Sequence, residues 1–325
     1  MPRFDLPENE LHAYRPDVRE PADFDAFWAD TISEARAAGE GIRLDRVESP
    51  LETVDVFDLR FPGFGGHPIA GWVVAPRDRS GRLPAIVEYI GYTGGRSFPH
   101  EHLRWASSGY VHVIMDTRGQ GSQGSMGITP DPVGSGPAVS GFVTRGIESP
   151  ETYYYRRVFT DAVRAVDAAR AIDFVDPEQV VVAGASQGGG ITLAAAGLAG
   201  GLAAALPDIP FLTHFERAVG FTESTPYEEV AIYLRAHRDA VERAFTTLSY
   251  FDGVNFAKRA TAPALFSTAL MDVVCPPSTV FAAKNWYAGT AEIDVFPFNG
   301  HEGGGPSSWP RQAEWLARVL AVRGA

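Results

Sequence analysis

A serine flanked by small residues stands between a strand-like run and an Ala-rich helical segment. The sequence QVVVAGASQGGGITLAAAGLA contains the pattern G-x-S-x-G, with Gly184, Ser186 and Gly188 at its fixed positions. A nucleophilic serine in this pattern occupies a strained turn, so the residues two before and two after it must be small. The backbone N–H of Gln187 would then face the oxyanion that forms when Ser186 Oγ attacks a carbonyl. A glycine-rich turn without chemistry is the alternative interpretation, and the flanking strand and helix disfavour it.

A serine nucleophile needs a base, and in this arrangement the acid and then the base follow the serine along the chain. The histidines after Ser186 are His214, His237 and His301. Only His301 lies beyond the last predicted core strand, in the loop FNGHEGGG, whose glycines would let the imidazole reach the serine. His301 is therefore the candidate base.

The candidate acid is Asp272, in the stretch STALMDVVCPP, because it directly follows the strand-like run APALFSTAL. Asp252 precedes that strand, and Asp294 lies within the next one. In its catalytic role Asp272 would fix the tautomer of His301. A turn residue that caps a helix expected near Pro277 is the non-catalytic alternative.

The second oxyanion donor is expected in the stretch EYIGYTGG, around Gly91 and Tyr92, and we choose the backbone N–H of Tyr92. Its side chain could equally be a core aromatic.

His100 and His102 do not predict a metal site, because residues two apart lie on different faces of a helix and no third ligand is indicated. Cys275 is expected to be a buried structural cysteine, although it stands close to Asp272. We expect neither metal nor cofactor.

The elements that must position these residues are alternating strands and helices, which predict parallel strands with crossover helices. The buried-strand candidates are residues 85–90, 110–115, 179–184, 262–270 and 292–298. Two strand-like runs within residues 53–76 predict an antiparallel start, and FDAFWADTISEAR predicts an amphipathic helix. Ser149 and Pro150 are expected to begin another helix. The segments 119–146 and 207–259 do not fit the alternation and are expected to carry function or cover a site.

The composition is that of a soluble globular protein, with 325 residues, 45% hydrophobic and 21% charged. We expect a single domain over residues 1–325, with residues 1–40 as a helical extension packed on the core. The net charge of -12 disfavours nucleic acid and anionic membranes as partners. The single cysteine cannot form an intrachain disulfide, and the sequence shows neither a signal peptide nor a long apolar run. We therefore expect a cytoplasmic protein.

Seven stretches along nearly the whole chain resemble the acetyl xylan esterase and cephalosporin C deacetylase family, carbohydrate esterase family 7 of the α/β-hydrolase superfamily. They are DFDAFW, EYIGYTGG, MDTRGQGS, GFVTRGIESPETYYYRRVFTDAVRAVD, GASQGGG, ALMDVVCPPST and NGHEGGG. The run Arg118, Gly119 and Gln120, together with the serine pattern and the pair His301 and Glu302, resembles the three-part signature of that family.

The resemblance implies an α/β-hydrolase fold: a mostly parallel central sheet with helices on both faces and an antiparallel N-terminal edge. The site residues it implies, Ser186, Asp272, His301 and the amides of Tyr92 and Gln187, are those chosen above. It implies removal of acetyl groups from small esters, short acetylated xylo-oligosaccharides and cephalosporins, without a cofactor, by a homo-oligomer that is a hexamer.

Ile90 departs from the family pattern, since many members carry histidine there, and we expect altered pocket chemistry as a result. Two other functions stay open for a chain of this fold. One is a different hydrolase, such as a peptidase or a longer-chain esterase. The other is a catalytically silent binding or scaffold protein.

Overall fold

The computed structural model describes residues 3–134 and 139–323, which build one nine-stranded sheet with helices on both faces. The strands are β1 (Arg43–Val47), β2 (Val54–Pro62), β3 (Pro68–Pro76), β4 (Leu83–Tyr89), β5 (Val111–Met115), β6 (Val175–Ala185), β7 (Ala204–Asp208), β8 (Ala264–Ala269) and β9 (Ala291–Phe296). Their order is β1-β2-β3-β5-β4-β6-β7-β8-β9. The β1–β2, β2–β3 and β3–β5 pairs are antiparallel, whereas all pairs from β5–β4 to β8–β9 are parallel.

The parallel strands are apolar on both faces, because helices cover both. Along β6, Val180 and Val182 belong to the main core, whereas Val181 and Ala183 belong to a second core on the opposite face. This alternation follows from the two-residue period of a strand. The predicted α/β-hydrolase architecture, with its antiparallel N-terminal edge, is confirmed.

The helices are α1 (Glu8–Ala13), α2 (Phe24–Ala37), α3 (Leu103–Ala106), α4 (Tyr154–Arg170), α5 (Gln187–Leu198), α6 (Phe215–Phe221), α7 (Tyr227–Ala236), α8 (Val241–Ser249), α9 (Gly253–Ala257), α10 (Pro277–Trp286) and α11 (Trp309–Arg323). Apolar residues of α4 and α5 pack in the main core, and Trp105 of α3 and Leu316 of α11 pack in the second. Helices α6 to α9 form the predicted excursion 207–259. No helix among the described residues is long and apolar enough to span a bilayer.

The predicted helix start at Ser149 and Pro150 is wrong, since α4 begins at Tyr154. The carbonyl of Ser149 accepts the N–H groups of Thr152 and Tyr153 and thereby closes a turn. Tyr153 has extended backbone dihedrals, which separate that turn from the helix. Its ring is fully buried, so tertiary packing overrides the local capping signal.

Two strands were not predicted from the sequence. Strand β7 has the sequence AALPD, and its alanines favour a helix on propensity alone, yet it lies in the middle of the parallel sheet. Strand β1 has the sequence RLDRV and pairs only with β2 at the sheet edge. Its side chains are mostly exposed, so it lacks the apolar pattern by which the other strands were recognised.

The N-terminal extension packs on the body through helix α2. Trp28 is buried among aromatic rings, and its Nε1 donates a hydrogen bond to the Tyr250 carbonyl at 2.9 Å. Arg36 also forms a bidentate ion pair with Asp167 of α4, with hydrogen bonds of 2.9 and 3.0 Å. These contacts support the single-domain interpretation of residues 1–325, which stays a prediction.

We expect Trp28→Ala to reduce the free energy of unfolding by about 3–5 kcal/mol, because it removes a buried indole and leaves a cavity. Phe298→Ala is the matched control, since that aromatic ring is 81% exposed. Chemical denaturation of both variants would measure the difference. Equal stability of the two variants would show that the extension contributes little to the folded body.

Candidate active site

Ser186 lies at the turn between β6 and α5 in a strained backbone conformation. Its φ of 56° is in the left-handed region, which non-glycine residues rarely adopt. A Cβ on Gly184 would lie 2.6 Å from backbone atoms of Gly188, and a Cβ on Gly188 would lie 2.2 Å from the carbonyl oxygen of Tyr89. Strand and helix therefore approach this closely only because both positions are glycine.

The strained serine is held through its own backbone. The N–H of Ser186 donates to the Asp208 carbonyl at 3.0 Å, and the Ser186 carbonyl accepts the N–H of Phe211 at 2.9 Å. Asp208 is the last residue of the neighbouring strand β7, and Phe211 lies in the segment that follows it. The turn is thus fixed to the carboxyl end of the sheet, where Ser186 Oγ is presented.

The imidazole of His301 joins Ser186 to Asp272. Its Nε2 lies 2.9 Å from Ser186 Oγ, and its Nδ1 lies 2.9 Å from Asp272 Oδ2. In the neutral tautomer that suits both contacts, Nδ1 donates to the carboxylate and Nε2 accepts from the hydroxyl. The three residues predicted from three separate loops are therefore brought together.

Backbone amides bind the carboxylate oxygen of Asp272 that does not contact His301. The residue is fully buried, and its Oδ1 accepts the N–H groups of Val274 at 2.8 Å and Cys275 at 3.0 Å. Its Oδ2 remains for His301. A buried carboxylate with this set of protein donors has a fixed orientation, which suits an acid that fixes an imidazole.

Glu302 shapes the loop that carries His301. Its carboxylate accepts the backbone N–H of Gly300 and the side-chain amide of Asn299, both at 3.1 Å. Hydrogen bonds from its own N–H, from Gly300 and from Asn299 lower the pKa of Glu302. Glu302 therefore acts on the loop conformation, and its carboxylate is not the partner of the imidazole.

The two amides predicted as oxyanion donors are free of other partners. Within residues 3–134 and 139–323, neither the N–H of Tyr92 nor that of Gln187 has an acceptor. The loop that carries Tyr92 is bound to the turn that carries Ser186, because Gln187 Nε2 donates to the Ile90 carbonyl at 3.1 Å. Both amides thus lie in segments that are fixed to each other beside Ser186.

Gln120 connects these two segments with one side chain. Its Oε1 accepts the N–H of Thr93, next to Tyr92, at 2.7 Å. Its Nε2 donates to Gln187 Oε1 at 2.8 Å and to the Tyr154 hydroxyl at 3.1 Å. The residue is almost fully buried. Gln120 therefore positions both candidate oxyanion donors.

Arg118 and Gly119 anchor the loop that carries Gln120. The guanidinium of Arg118, fully buried, makes two hydrogen bonds to the Asp161 carboxylate at 2.5 and 2.7 Å. Gly119 has a φ of 70°, and a Cβ there would lie 3.0 Å from Asp131. The three signature residues thus support the site without contacting Ser186.

Glu229 was not predicted, although it holds Tyr92. The Tyr92 hydroxyl donates to the Glu229 carboxylate at 2.7 Å and accepts the N–H groups of Gly141 and Phe142. Burial raises the pKa of both Tyr92 and Glu229. No sequence signal marks Glu229, because it is one of two adjacent glutamates in an amphipathic helix of the excursion.

The alternative acids and histidines considered in the sequence analysis have structural roles. Asp252 caps α9 and accepts three backbone N–H groups, and burial raises its pKa to about 6. Asp294 lies within β9 and pairs with Arg311. His214 and His237 flank short helices of the excursion as cap residues.

Metal-ligating atoms come together only at the triad, among the residues the structure describes. Atoms of Asp272, Cys275 and His301 lie within 4.8 Å of one another. Both Asp272 oxygens already accept hydrogen bonds, so the group fits an orienting carboxylate. His102 Nε2 lies 2.9 Å from the Arg96 carbonyl, and the His100 ring stacks on Phe98. Those two histidines therefore do not face a common ligand.

A cleft of about 530 Å³ opens beside the catalytic serine candidate. Ser186 and His301 line it together with Arg104 of α3 and Gln312 of α11. Ile90, the departure from the family pattern, also lies in its wall. The cleft gives an ester direct access to Ser186 Oγ.

The chain matches the family described as Acetyl xylan esterase (AXE1) over residues 1–319. It is 27% identical over 303 residues to the acetyl esterase Axe7A of Xylanibacter ruminicola, a match that covers 88% of this chain. The chain spans 65% of the length of that relative.

Solved structures are similar as well. The acetyl xylan esterase of Paenibacillus sp. R4 has a TM-score of 0.90 at 38% identity, covering 96% of this chain and 99% of that one. Acetyl xylan esterase 1 of Thermoanaerobacterium sp. JW/SL YS485 has a TM-score of 0.88 at 31% identity, covering 97% and 99%. Pyrococcus horikoshii acylaminoacyl peptidase, at 18% identity and a TM-score of 0.61 over 84% of this chain and 42% of that one, shares the fold alone. With its family match over nearly its whole length, this chain belongs to the acetyl xylan esterase family.

Proposed function

We propose that the protein is a serine esterase that removes acetyl groups from small esters, including acetylated xylo-oligosaccharides and cephalosporins. The observation that carries the proposal is the chain of contacts from Ser186 Oγ through His301 to Asp272, each at 2.9 Å. Family membership supports acetyl as the acyl group that is removed, and the cleft supports access of a small ester to Ser186.

In the first half of the reaction, Ser186 Oγ attacks the carbonyl carbon while its proton passes to His301 Nε2. The amides of Tyr92 and Gln187 donate hydrogen bonds to the oxyanion of the tetrahedral intermediate. The bond to the alcohol then breaks, and Nε2 returns the proton to the leaving oxygen. Acetyl-Ser186 remains, and the positive imidazolium has been stabilised by Asp272.

In the second half, a water molecule replaces the alcohol. His301 Nε2 takes its proton as the water oxygen attacks the acetyl carbon, and the same amides hold the new oxyanion. The ester bond to Ser186 breaks, Oγ regains the proton from Nε2, and acetate leaves. No step requires an atom beyond the protein, the ester and water.

The cytoplasmic location and the hexamer stay predictions. Association of chains is supported by exposed apolar side chains in two adjoining loops, Phe98, Met126 and Ile128. The N–H of Ser97 donates to the Met126 carbonyl at 2.8 Å, which places these loops side by side. In a monomer these apolar side chains would remain exposed to water.

Ser186→Ala is expected to lower kcat for p-nitrophenyl acetate by about four orders of magnitude or more, because no nucleophile remains. Asp272→Asn should cause a loss of similar size by favouring the wrong tautomer of His301. The matched control is Ser33→Ala, an exposed serine of α2. Undiminished acetate release by Ser186→Ala, with the fold confirmed by circular dichroism, would rule out Ser186 as the nucleophile of the reaction.

Gln120→Ala should lower kcat about ten- to a hundredfold with little change in KM, since the oxyanion donors act mainly in the transition state. Gln123→Ala is the control, a substitution of the same kind on an exposed residue of the same segment, 119–146. Steady-state kinetics with p-nitrophenyl acetate would separate kcat from KM. An equal effect of the two substitutions would show that Gln120 does not position the site.

Acetyl esters should be hydrolysed faster than butyryl esters, and octanoyl esters and an aminoacyl amide should be poor substrates. The reason is the relationship to acetyl xylan esterases, whose acyl group is the shortest of the three. Initial rates on matched p-nitrophenyl esters and an aminoacyl p-nitroanilide would test the order. Preference for the octanoyl ester, or for the amide, would favour the longer-chain esterase or the peptidase instead.

A further inference from the structure

The loop that carries the Tyr92 amide has a strained backbone at the next residue. Thr93 has a φ of 70°, in the left-handed region that a β-branched residue rarely adopts. Such a conformation persists only where its surroundings determine it. Gln120 Oε1 holds the N–H of Thr93 at 2.7 Å, and the Thr93 carbonyl accepts the N–H of Gly121 at 3.0 Å. These bonds fix the chain after the Tyr92 amide, whereas Tyr92 itself is held by its side chain.

The hydroxyl of Tyr92 makes hydrogen bonds in a defined direction. It accepts the N–H groups of Gly141 and Phe142 at 3.3 and 2.9 Å, which occupy its lone pairs. Its proton is therefore directed to the Glu229 carboxylate, whose oxygens lie 2.7 and 2.9 Å away. Burial and the neighbouring carboxylate raise the pKa of Tyr92, so the phenol keeps this proton.

Glu229 accepts hydrogen bonds from two separate segments of the chain. Burial raises its pKa, and hydrogen bonds from Tyr92 and from the amides of Val143 and Gly141 partly offset this increase. These partners are all donors, which is the arrangement that suits an acceptor-only carboxylate. One side chain of α7 thus binds the loop of Tyr92 and the segment that begins at Gly141.

The ring of Tyr92 is held by aromatic contacts as well. It meets Phe142 edge-on with ring centroids 5.5 Å apart, and the centroid of Phe211 lies 6.2 Å away. Phe211 is also the residue whose N–H binds the Ser186 carbonyl at 2.9 Å. The phenol bound by Glu229 therefore packs against a residue that holds the proposed nucleophile.

Resting on the esterase activity proposed above, we propose that Glu229 is a positioning residue of that reaction. It fixes the phenol of Tyr92 and thereby directs the Tyr92 N–H toward the oxyanion. In the described part of the chain Glu229 does not line the cleft beside Ser186, so it acts through Tyr92 and does not contact the ester. Its effect belongs to kcat, because the N–H stabilises charge that develops in the transition state.

The test compares p-nitrophenyl acetate with p-nitrophenyl thionoacetate, in which sulfur replaces the carbonyl oxygen. Sulfur is a weak hydrogen-bond acceptor, so the thionoester gains little from an N–H donor at this position. Release of p-nitrophenol by the full chain gives kcat and KM for both esters. The ratio of the two kcat values therefore reports whether the Tyr92 amide is correctly directed.

The variants are Glu229→Ala, Glu229→Gln, Tyr92→Phe and the double variant that combines Glu229→Ala with Tyr92→Phe. The matched control is Glu228→Ala, which truncates the adjacent glutamate of the same helix. The hydroxyl of Tyr92 contacts the carboxylate of Glu229 and leaves Glu228 outside the pair.

Glu229→Ala should lower kcat for p-nitrophenyl acetate about tenfold, with KM within about twofold and a smaller loss on the thionoester. Tyr92→Phe should cause a loss of similar size. The double variant should be no slower than the slower single variant, because both changes break the same contact. Glu229→Gln should restore most of the rate, since its amide oxygen still accepts the phenol proton. Glu228→Ala should match the unsubstituted protein on both esters.

An unchanged kcat in Glu229→Ala would overturn the proposal, and so would an equal loss on both esters, which is the result expected of a poorly folded variant. Losses that multiply in the double variant would overturn it too, because Glu229 would then act independently of Tyr92. Failure of the unsubstituted protein to hydrolyse either ester would instead overturn the proposed function.

Discussion

The close approach of α5 to the ends of β4 and β6 is the constraint on which the site depends. Gly188 lies against the Tyr89 carbonyl, and Ser186 takes a left-handed φ to turn the chain within this space. Such a conformation persists only where its surroundings determine it. Here the surroundings are the Asp208 carbonyl and the Phe211 amide, which bind both backbone groups of Ser186. The sheet thus holds the proposed nucleophile before any substrate is present.

A network of buried side chains extends this control from the turn to the neighbouring loops. Gln187 follows Ser186, and its carboxamide contacts Gln120, the Ile90 carbonyl and the Tyr155 hydroxyl. The side chains of Gln187, Gln120 and Tyr155 are buried, and each would carry a desolvation cost if it were unpaired. The network therefore favours a single arrangement of the loops around Ser186. Preorganisation of this kind lets amide dipoles stabilise a developing charge without rearrangement.

Sequence patterns predicted most of the architecture because the parallel strands are continuous apolar runs and the turns contain glycine. The triad could be chosen from chain order, since an acid and a histidine must follow the last two strands. Strand β7 was missed because alanine carries a helical preference that the neighbouring strands override. Glu229 was missed for another reason. Its contact with Tyr92 joins residues 137 positions apart, and no local pattern encodes such a pair.

The wrongly predicted helix start at Ser149 shows that local sequence signals can also indicate an element that the fold does not form there. Serine, proline and glutamate in succession fit a helix N-terminus, yet the chain uses them to close a turn. Three consecutive tyrosines then enter the core, and each hydroxyl bonds a different partner: Val143, Arg118 and Gln187. These tertiary hydrogen bonds determine which of the three tyrosines begins the helix. The bonds themselves are known only from the folded structure.

Tyr92 serves two parts of the molecule at once. Its main chain belongs to the loop beside the nucleophile, while its phenol is bound by Glu229 of α7. Displacement of α7 would break the hydrogen bond between this partly buried carboxylate and the phenol, or would pull the loop away from Ser186. The excursion that carries α7 is therefore linked through Tyr92 to the proposed active site. The position of α7 therefore influences that of the Tyr92 amide, although no residue of α7 lines the cleft beside Ser186.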